Sequence, residues 1–161
     1  LLTIGKGVGG GIVLNGDLFK GGGGHSSEPG HMLLRYGGKP CTCGARGCVE
    51  AYCAATRLAA DGQRAQLGNT AKDVFDAVAR GDCTAREILA AYIDDLAAAI
   101  ASMANLLDPE IVVIGGISAA GDSLFKPLQA AVNEKTFARR TYRVIPVANG
   151  NNAGFIGAAL L

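Results

Sequence analysis

Glu28-Pro29-Gly30-His31 and, further along, Cys41-Thr42-Cys43-Gly44-Ala45-Arg46-Gly47-Cys48-Val49-Glu50 gather one His, three Cys and two carboxylates into a short, glycine-rich stretch. A structural zinc ion takes four soft or borderline ligands in a tetrahedron, and three thiolates with one imidazole supply that set. The Cys41-Thr42-Cys43 spacing is tighter than the common two-residue spacing. Gly44 and Gly47 would let the backbone fold back so that Cys48 reaches the same ion as His31, Cys41 and Cys43. The alternative is a set of free thiols with an unrelated His. Glu28 lies three residues before His31 and Glu50 two after Cys48, so closing the cluster would hold both carboxylates near one spot. Fixed carboxylates accept hydrogen bonds from neighbouring hydroxyls, which is what a sugar presents. Taken singly, Glu28 also fits a solvated loop, and Glu50 also fits an acid favoured by a helix N-terminus. Cys53 and Cys83 fall on predicted helices and read as core thiols, whereas His25, amid Gly and Ser, reads as a loop residue.

Outward from this stretch, the composition narrows the class. Of 161 residues, 24 are Gly, about twice average usage. They cluster at 5–11, 21–24, 37–38, 115–116 and 150–157 and follow no collagen repeat. Hydrophobic residues make up 49% and charged residues 18%, which excludes a disordered tract. The length suits one domain with a sizeable core. A net charge of +1, with no Lys/Arg block, argues against a general nucleic-acid surface, and no apolar run is long enough to span a bilayer. Five Cys, three of them crowded together, fit a metal site in a reducing cytoplasm better than a disulfide framework. The chain opens Leu1-Leu2-Thr3-Ile4, without an initiator Met and as if inside a strand, and the expectation is a piece of a longer protein.

The flanking segments alternate between strand and helix patterns. Residues 1–4, 10–14 and 17–20 are short β-type runs, and Asn15-Gly16 between the last two predicts a hairpin. Residues 21–48 have little periodicity, and a stretch that long without regular structure needs a staple or a function. Thr70 with Asp73 predicts a capped helix carrying Ala71, Val74, Phe75 and Val78 on one face and ending at Gly81. Thr84 with Glu87 predicts the cap of a long amphipathic helix that stops before Asp108-Pro109. Ile111-Val112-Val113-Ile114 reads as a buried strand ending in Gly115-Gly116. Asp122 or Ser123 then opens a helix, Arg143–Val147 forms a last strand, and Gly154–Leu161 a last apolar helix. The order is hairpin, irregular loop, helices, then β-α-β-α: a mixed α/β unit.

The 28–50 stretch resembles the zinc and sugar motif of the ROK family, which contains bacterial glucokinases, other hexose and acetylhexosamine kinases, and sugar-responsive repressors. Gly5-Lys6-Gly7-Val8-Gly9-Gly10-Gly11-Ile12-Val13 resembles its phosphate loop. Asp108-Pro109-Glu110, the run to Gly115-Gly116, and Gly150-Asn151-Asn152-Ala153-Gly154 resemble its later elements. The resemblance thus runs the length of the chain, with the cysteine motif its specific part. It implies a ribonuclease-H-like, actin-type ATPase fold of two lobes with ATP and sugar between them, residues 1–161 being a single C-terminal lobe. The family's N-terminal lobe carries an Asp-Gly-Gly-Thr phosphate motif and an Asn-Asp pair whose Asp is the general base. Neither motif occurs here, so no catalytic base is expected in this chain.

By the same resemblance, Glu28, His31 and Glu50 contact sugar hydroxyls, while His31, Cys41, Cys43 and Cys48 hold a structural zinc. Gly5, Lys6, Gly7, Gly9, Gly115 and Gly116 meet the nucleotide. Backbone N–H groups of the 5–11 loop would cradle its phosphates. ATP and Mg2+ are implied for the full-length protein, with a hexose as substrate, a homodimer or homotetramer as assembly, and the cytoplasm as location. No membrane is implied, and no nucleic acid unless the parent is a repressor. The implied parent is an ATP-dependent glucokinase, the alternative being the effector domain of a repressor, and a third option is a zinc-stapled scaffold without a ligand. Three positions depart from the family pattern. Lys6 stands where Thr or Ser is usual, residues 111–118 are one Gly short of three, and Ser27 replaces a common Gly.

Overall fold

The computed structural model describes residues 1–148 and 150–152. The helix expected over Gly154–Leu161 lies outside the described residues, as does part of the Gly150–Gly154 motif. Strands β1 (Leu2–Ile4), β2 (Val8–Gly10), β5 (Ile111–Gly116) and β6 (Arg143–Pro146) form one sheet in the order β2-β1-β5-β6. The β1–β2 pair is antiparallel, and β1–β5 and β5–β6 are parallel. Strands β3 (Val13–Leu14) and β4 (Asp17–Leu18) make a separate hairpin. Its turn residues Asn15 and Gly16 both have positive φ, 54° and 90°, as a type I′ turn demands. The 10–14 run is therefore split: Gly10 ends β2, where its neighbour Gly11 still donates to Leu1 O at 3.0 Å, and the hairpin begins only at Val13.

The helices are α1 (Glu50–Cys53), α2 (Ala55–Arg64), α3 (Ala71–Ala79), α4 (Cys83–Leu107) and α5 (Asp122–Lys135). The capping box at Thr70 and Asp73 forms in both directions, and Gly81, at φ 92°, follows the end of α3. The start of α4 differs from expectation. Asp82 caps it, its carboxylate accepting from Ala85 N at 2.8 Å, and Thr84 lies inside the first turn. Asp is among the strongest N-caps, and it sits directly after the turn that ends α3. Cys83, the first helical residue, is consequently exposed rather than a core thiol, whereas Cys53 is fully buried.

Helix α4 is the spine of the molecule. It packs against α1, α2, α3 and α5, and α5 in turn packs on β6. Leu2, Ile4, Val8, Val112, Ile114 and Val144 face the same core as Leu89, Leu96 and Ile100 of α4 and Leu124, Leu128 and Val132 of α5. Thr3, between Leu2 and Ile4, is exposed, because alternate strand residues point to opposite faces. The helices thus bury one side of β1 and leave its other side as the floor of a cleft. Among the described residues, no helix is long and apolar enough to cross a membrane.

Candidate sugar and metal site

The irregular 28–49 segment is ordered by folding back on itself. A 3-10 turn at Pro29–His31 opens it. Leu34 and Arg35 then donate to Gly47 O at 2.8 and 3.0 Å, Gly47 N to Lys39 O at 2.8 Å, Cys41 N to Ala45 O at 2.9 Å, and Val49 N to Met32 O at 2.8 Å. Gly47 has φ 87°, and a Cβ there would lie 1.7 Å from Arg35 O, so this fold-back admits no side chain. Tyr52 of α1 clasps the segment from below. Its hydroxyl accepts from Lys39 N at 2.8 Å, and Arg35 and Lys39 lie over its ring at 5.0 and 4.5 Å. Arg35 also pairs with Asp95 of α4.

This folding brings His31, Cys41, Cys43 and Cys48 together, with one potential ligand atom from each within 4.8 Å of all the others. His31 Nδ1 is 3.8 Å from Cys41 Sγ, and Cys43 Sγ is 3.7 Å from Cys48 Sγ. A tetrahedral site with Zn–S bonds of about 2.3 Å has S···S edges of about 3.8 Å, so the donor set and its spacing fit a zinc ion. Burial and the neighbouring thiols push Cys48 up to about 12, whereas the Ala45 backbone and Cys41 pull Cys43 below the ordinary thiol value. A dication here would hold all three cysteines as thiolates and His31 as the neutral imidazole.

Beside the cluster lies a cleft of about 450 Å³ lined by Glu28, His31 and Glu50 together with the turn between β1 and β2. Gly5, Lys6, Gly7, Gly9 and Gly116 line the same cleft, whereas Gly115 is buried in the sheet and does not. Glu28 and His31 are exposed, and Glu50 is half-buried at the first position of α1. His31 turns Nδ1 toward the cysteines, so Nε2 is the nitrogen left for the cleft.

Glu50 is held at both carboxylate oxygens. Oε2 accepts from Val8 N at 3.0 Å and Oε1 from Thr42 Oγ1 at 2.8 Å. Gly7 makes the first contact possible, since a Cβ there would stand 2.3 Å from Oε2. Burial alone would push the Glu50 pKa up. The Val8 N–H, the Thr42 hydroxyl, His31 and Cys41 outweigh it and hold the group below the usual carboxylate range. An ionised carboxylate is acceptor-only, suited to sugar hydroxyls.

The turn is less open to phosphate than its glycines suggest. Gly5 N donates to Gly7 O at 2.9 Å, Val8 N is used by Glu50, and Gly11 N by Leu1 O. Val8, Thr42 and Tyr52 carry no motif signal of their own. Thr42 alone was legible in principle, as a hydroxyl residue placed between two candidate ligands.

Comparison with known proteins agrees with this geometry. The profile of the ROK family matches residues 1–161. The chain is 39% identical to a glucokinase of Halalkalibacterium halodurans, over all of this chain and 54% of the relative. Among solved structures, a ROK family glucokinase from Streptomyces griseus, in complex with glucose and AMPPNP, superposes with a TM-score of 0.90 at 27% identity. It covers 98% of this chain and 58% of its own. A ROK family transcriptional regulator, a homologue of the E. coli MLC protein, superposes with a TM-score of 0.75 at 28% identity over 90% of this chain and 40% of its own. The chain thus spans about half the length of the relatives it matches and shares their ribonuclease-H-like, actin-type fold. It is a member of the ROK family.

Proposed function

We propose that this chain is the sugar-binding lobe of an ATP-dependent hexose kinase, with glucose as the substrate and the γ-phosphoryl group of ATP as the group transferred. The carrying observation is that Glu28, His31 and Glu50 line one cleft with the β1–β2 glycine turn. Acceptors for sugar hydroxyls and a turn for the phosphoryl donor therefore share a space. Phosphoryl transfer needs chiefly positioning and charge neutralisation. Glu28 and Glu50 accept hydroxyl hydrogen bonds, and His31 Nε2 adds a directed partner. Lys6 supplies positive charge at the turn, where several amides are already used. Zinc, held by His31, Cys41, Cys43 and Cys48, supplies loop order and fixes the His31 tautomer. The Asp general base implied by the family resemblance belongs to a second lobe, and Mg2+ accompanies ATP in the full-length protein.

The test is an assay of the full-length protein with ATP and glucose beside the isolated 161-residue chain. Glucose phosphorylation by the full-length protein and none by the isolated chain is expected; robust turnover by the isolated chain overturns the assignment of the base to a second lobe. Elemental analysis of protein purified without chelator should return stoichiometric zinc, and a metal-free result removes the metal reading.

A second reading, a sugar-responsive repressor, draws on Lys6 at the phosphate turn, the short Gly115-Gly116 run and the similarity to a transcriptional regulator. Residues upstream of Leu1 in the parent separate the two. A helix-turn-helix sequence favours the repressor, and an Asp-Gly-Gly-Thr strand the kinase.

A further inference from the structure

We infer that Thr42 is a positioning residue for sugar binding, acting through Glu50 rather than on the sugar or the metal. The inference rests on the reading of Glu28, His31 and Glu50 as a sugar site and assigns the device that aims one of them. Glu50 starts a helix of four residues, too short to fix a carboxylate by itself. Its direction is set from two sides: Val8 N–H holds Oε2 at 3.0 Å, and the Thr42 hydroxyl holds Oε1 at 2.8 Å. The first grip is backbone and insensitive to side-chain change at Val8. The second is a side chain and can be removed.

The geometry assigns the direction of the hydrogen bond. An ionised carboxylate only accepts, so the Thr42 proton is committed to Oε1. Oε2 then accepts from Val8 N alone, and Oε1 accepts from Thr42 with a second, longer contact from Cys41 Sγ at 3.8 Å. Without Thr42, Oε1 keeps only the long Cys41 Sγ contact, a weak thiol donor that a zinc-bound thiolate would not supply. The carboxylate is then loosely held on that side, which weakens hydrogen bonds that need both oxygens placed. Thr42 is also set between Cys41 and Cys43, so the orientation of the loop around the metal cluster reaches the sugar through this hydroxyl. Thr42 itself is exposed and contributes no ligand atom to the cluster.

The experiment compares Thr42→Val, Thr42→Ser and Glu50→Gln in the full-length protein, by glucose titration, steady-state kinetics and zinc content. Thr42→Val should raise the glucose Kd and KM about five- to tenfold, within the range for a charge-assisted hydrogen bond at an exposed position. Zinc content and the KM for ATP should stay unchanged, and Thr42→Ser, which keeps the hydroxyl, should restore glucose binding. Loss of zinc in Thr42→Val overturns the inference, because the residue would then be shaping the metal loop. Wild-type glucose affinity in Thr42→Val, alongside a large loss in Glu50→Gln, overturns the role of Thr42 while leaving the sugar site standing. Unchanged glucose binding in Glu50→Gln, or none by the wild type, overturns the sugar site and this inference with it.

Discussion

The 21–49 segment and helix α4 are of comparable length and are held in opposite ways. Helix α4 buries Leu89, Tyr92, Ile93, Leu96 and Ile100, and its order follows from removing one apolar face from water. The segment buries little beyond Pro29, Gly30 and the Gly47–Val49 corner, while Leu33 and Tyr36 are 60% and 96% exposed. Its order comes from backbone hydrogen bonds, the Tyr52 clasp and a ligand cluster with metal spacing. A periodic element is thus held by the bulk of the molecule, and an aperiodic one by a few polar contacts. Damage to the first should spread, and damage to the second should stay local.

The largest effect is expected from Leu96→Ala, which empties a fully buried site on α4. A loss of about 2–5 kcal/mol is expected, read as a lower denaturant midpoint with hydrogen-exchange protection falling in both regions. Retained protection in α4 would break the comparison. Cys43→Ser comes next. In this variant, or on chelation, protection should fall by about tenfold or more across 21–50 while α4 and α5 keep theirs. Equal loss throughout the chain would show that the segment is not an independent unit.

Smaller effects sharpen the helical side. Asp82→Ala removes the cap seen on α4 and should cost about 1 kcal/mol, while Thr84→Ala should cost less. The reverse order in thermal melts would return the cap to Thr84. The smallest effect is a pH response. Hydrogen bonds from the Thr70 hydroxyl and backbone, with a smaller one from Asn69 N–H, outweigh burial and hold Asp73 below its ordinary 3.8. A depressed folded value means that the stabilisation is present above the unfolded pKa and is lost as pH falls through the folded one. Wild type should therefore lose its advantage over Asp73→Asn on acidification from about pH 5 to about pH 2. A constant difference in melting temperature over that range would rule the linkage out.

The same contrast explains what was legible in the sequence. The Asn15-Gly16 turn, the Thr70–Asp73 box, the stop before Asp108 and the strand from Ile111 all rest on local rules, and the structure bears them out. The assignment of Thr84 as a cap failed because two cap-competent residues stood two positions apart, and the end of α3 selected Asp82. The placement of Cys83 in the core failed because helical position alone does not fix which side of the first turn meets solvent. In the site, residue chemistry brought out His31, the three Cys and two Glu, and the fold brings them together. Of the two grips on Glu50, Thr42 was legible only as a hydroxyl between two candidate ligands, and Val8 was not legible because it acts through its backbone. Gly115 looked equivalent to Gly116, yet only Gly116, which leaves the strand at φ 78°, lines the cleft.

The break between α1 and α2 has a wider reach than its size suggests. Ala54 is extended there, with ψ 145°, Tyr92 Oη donates to Cys53 O at 2.8 Å, and Ala55 N donates to Gly5 O at 2.9 Å. A residue in the middle of the long helix therefore fixes the corner on which the glycine turn rests. A screen scored on activity alone would count Tyr92 among the residues that meet substrate, although it lines no part of the cleft. The map of sensitive positions in this fold is accordingly larger than the map of contacts, and it extends through the floor of the site into the helical layer beneath.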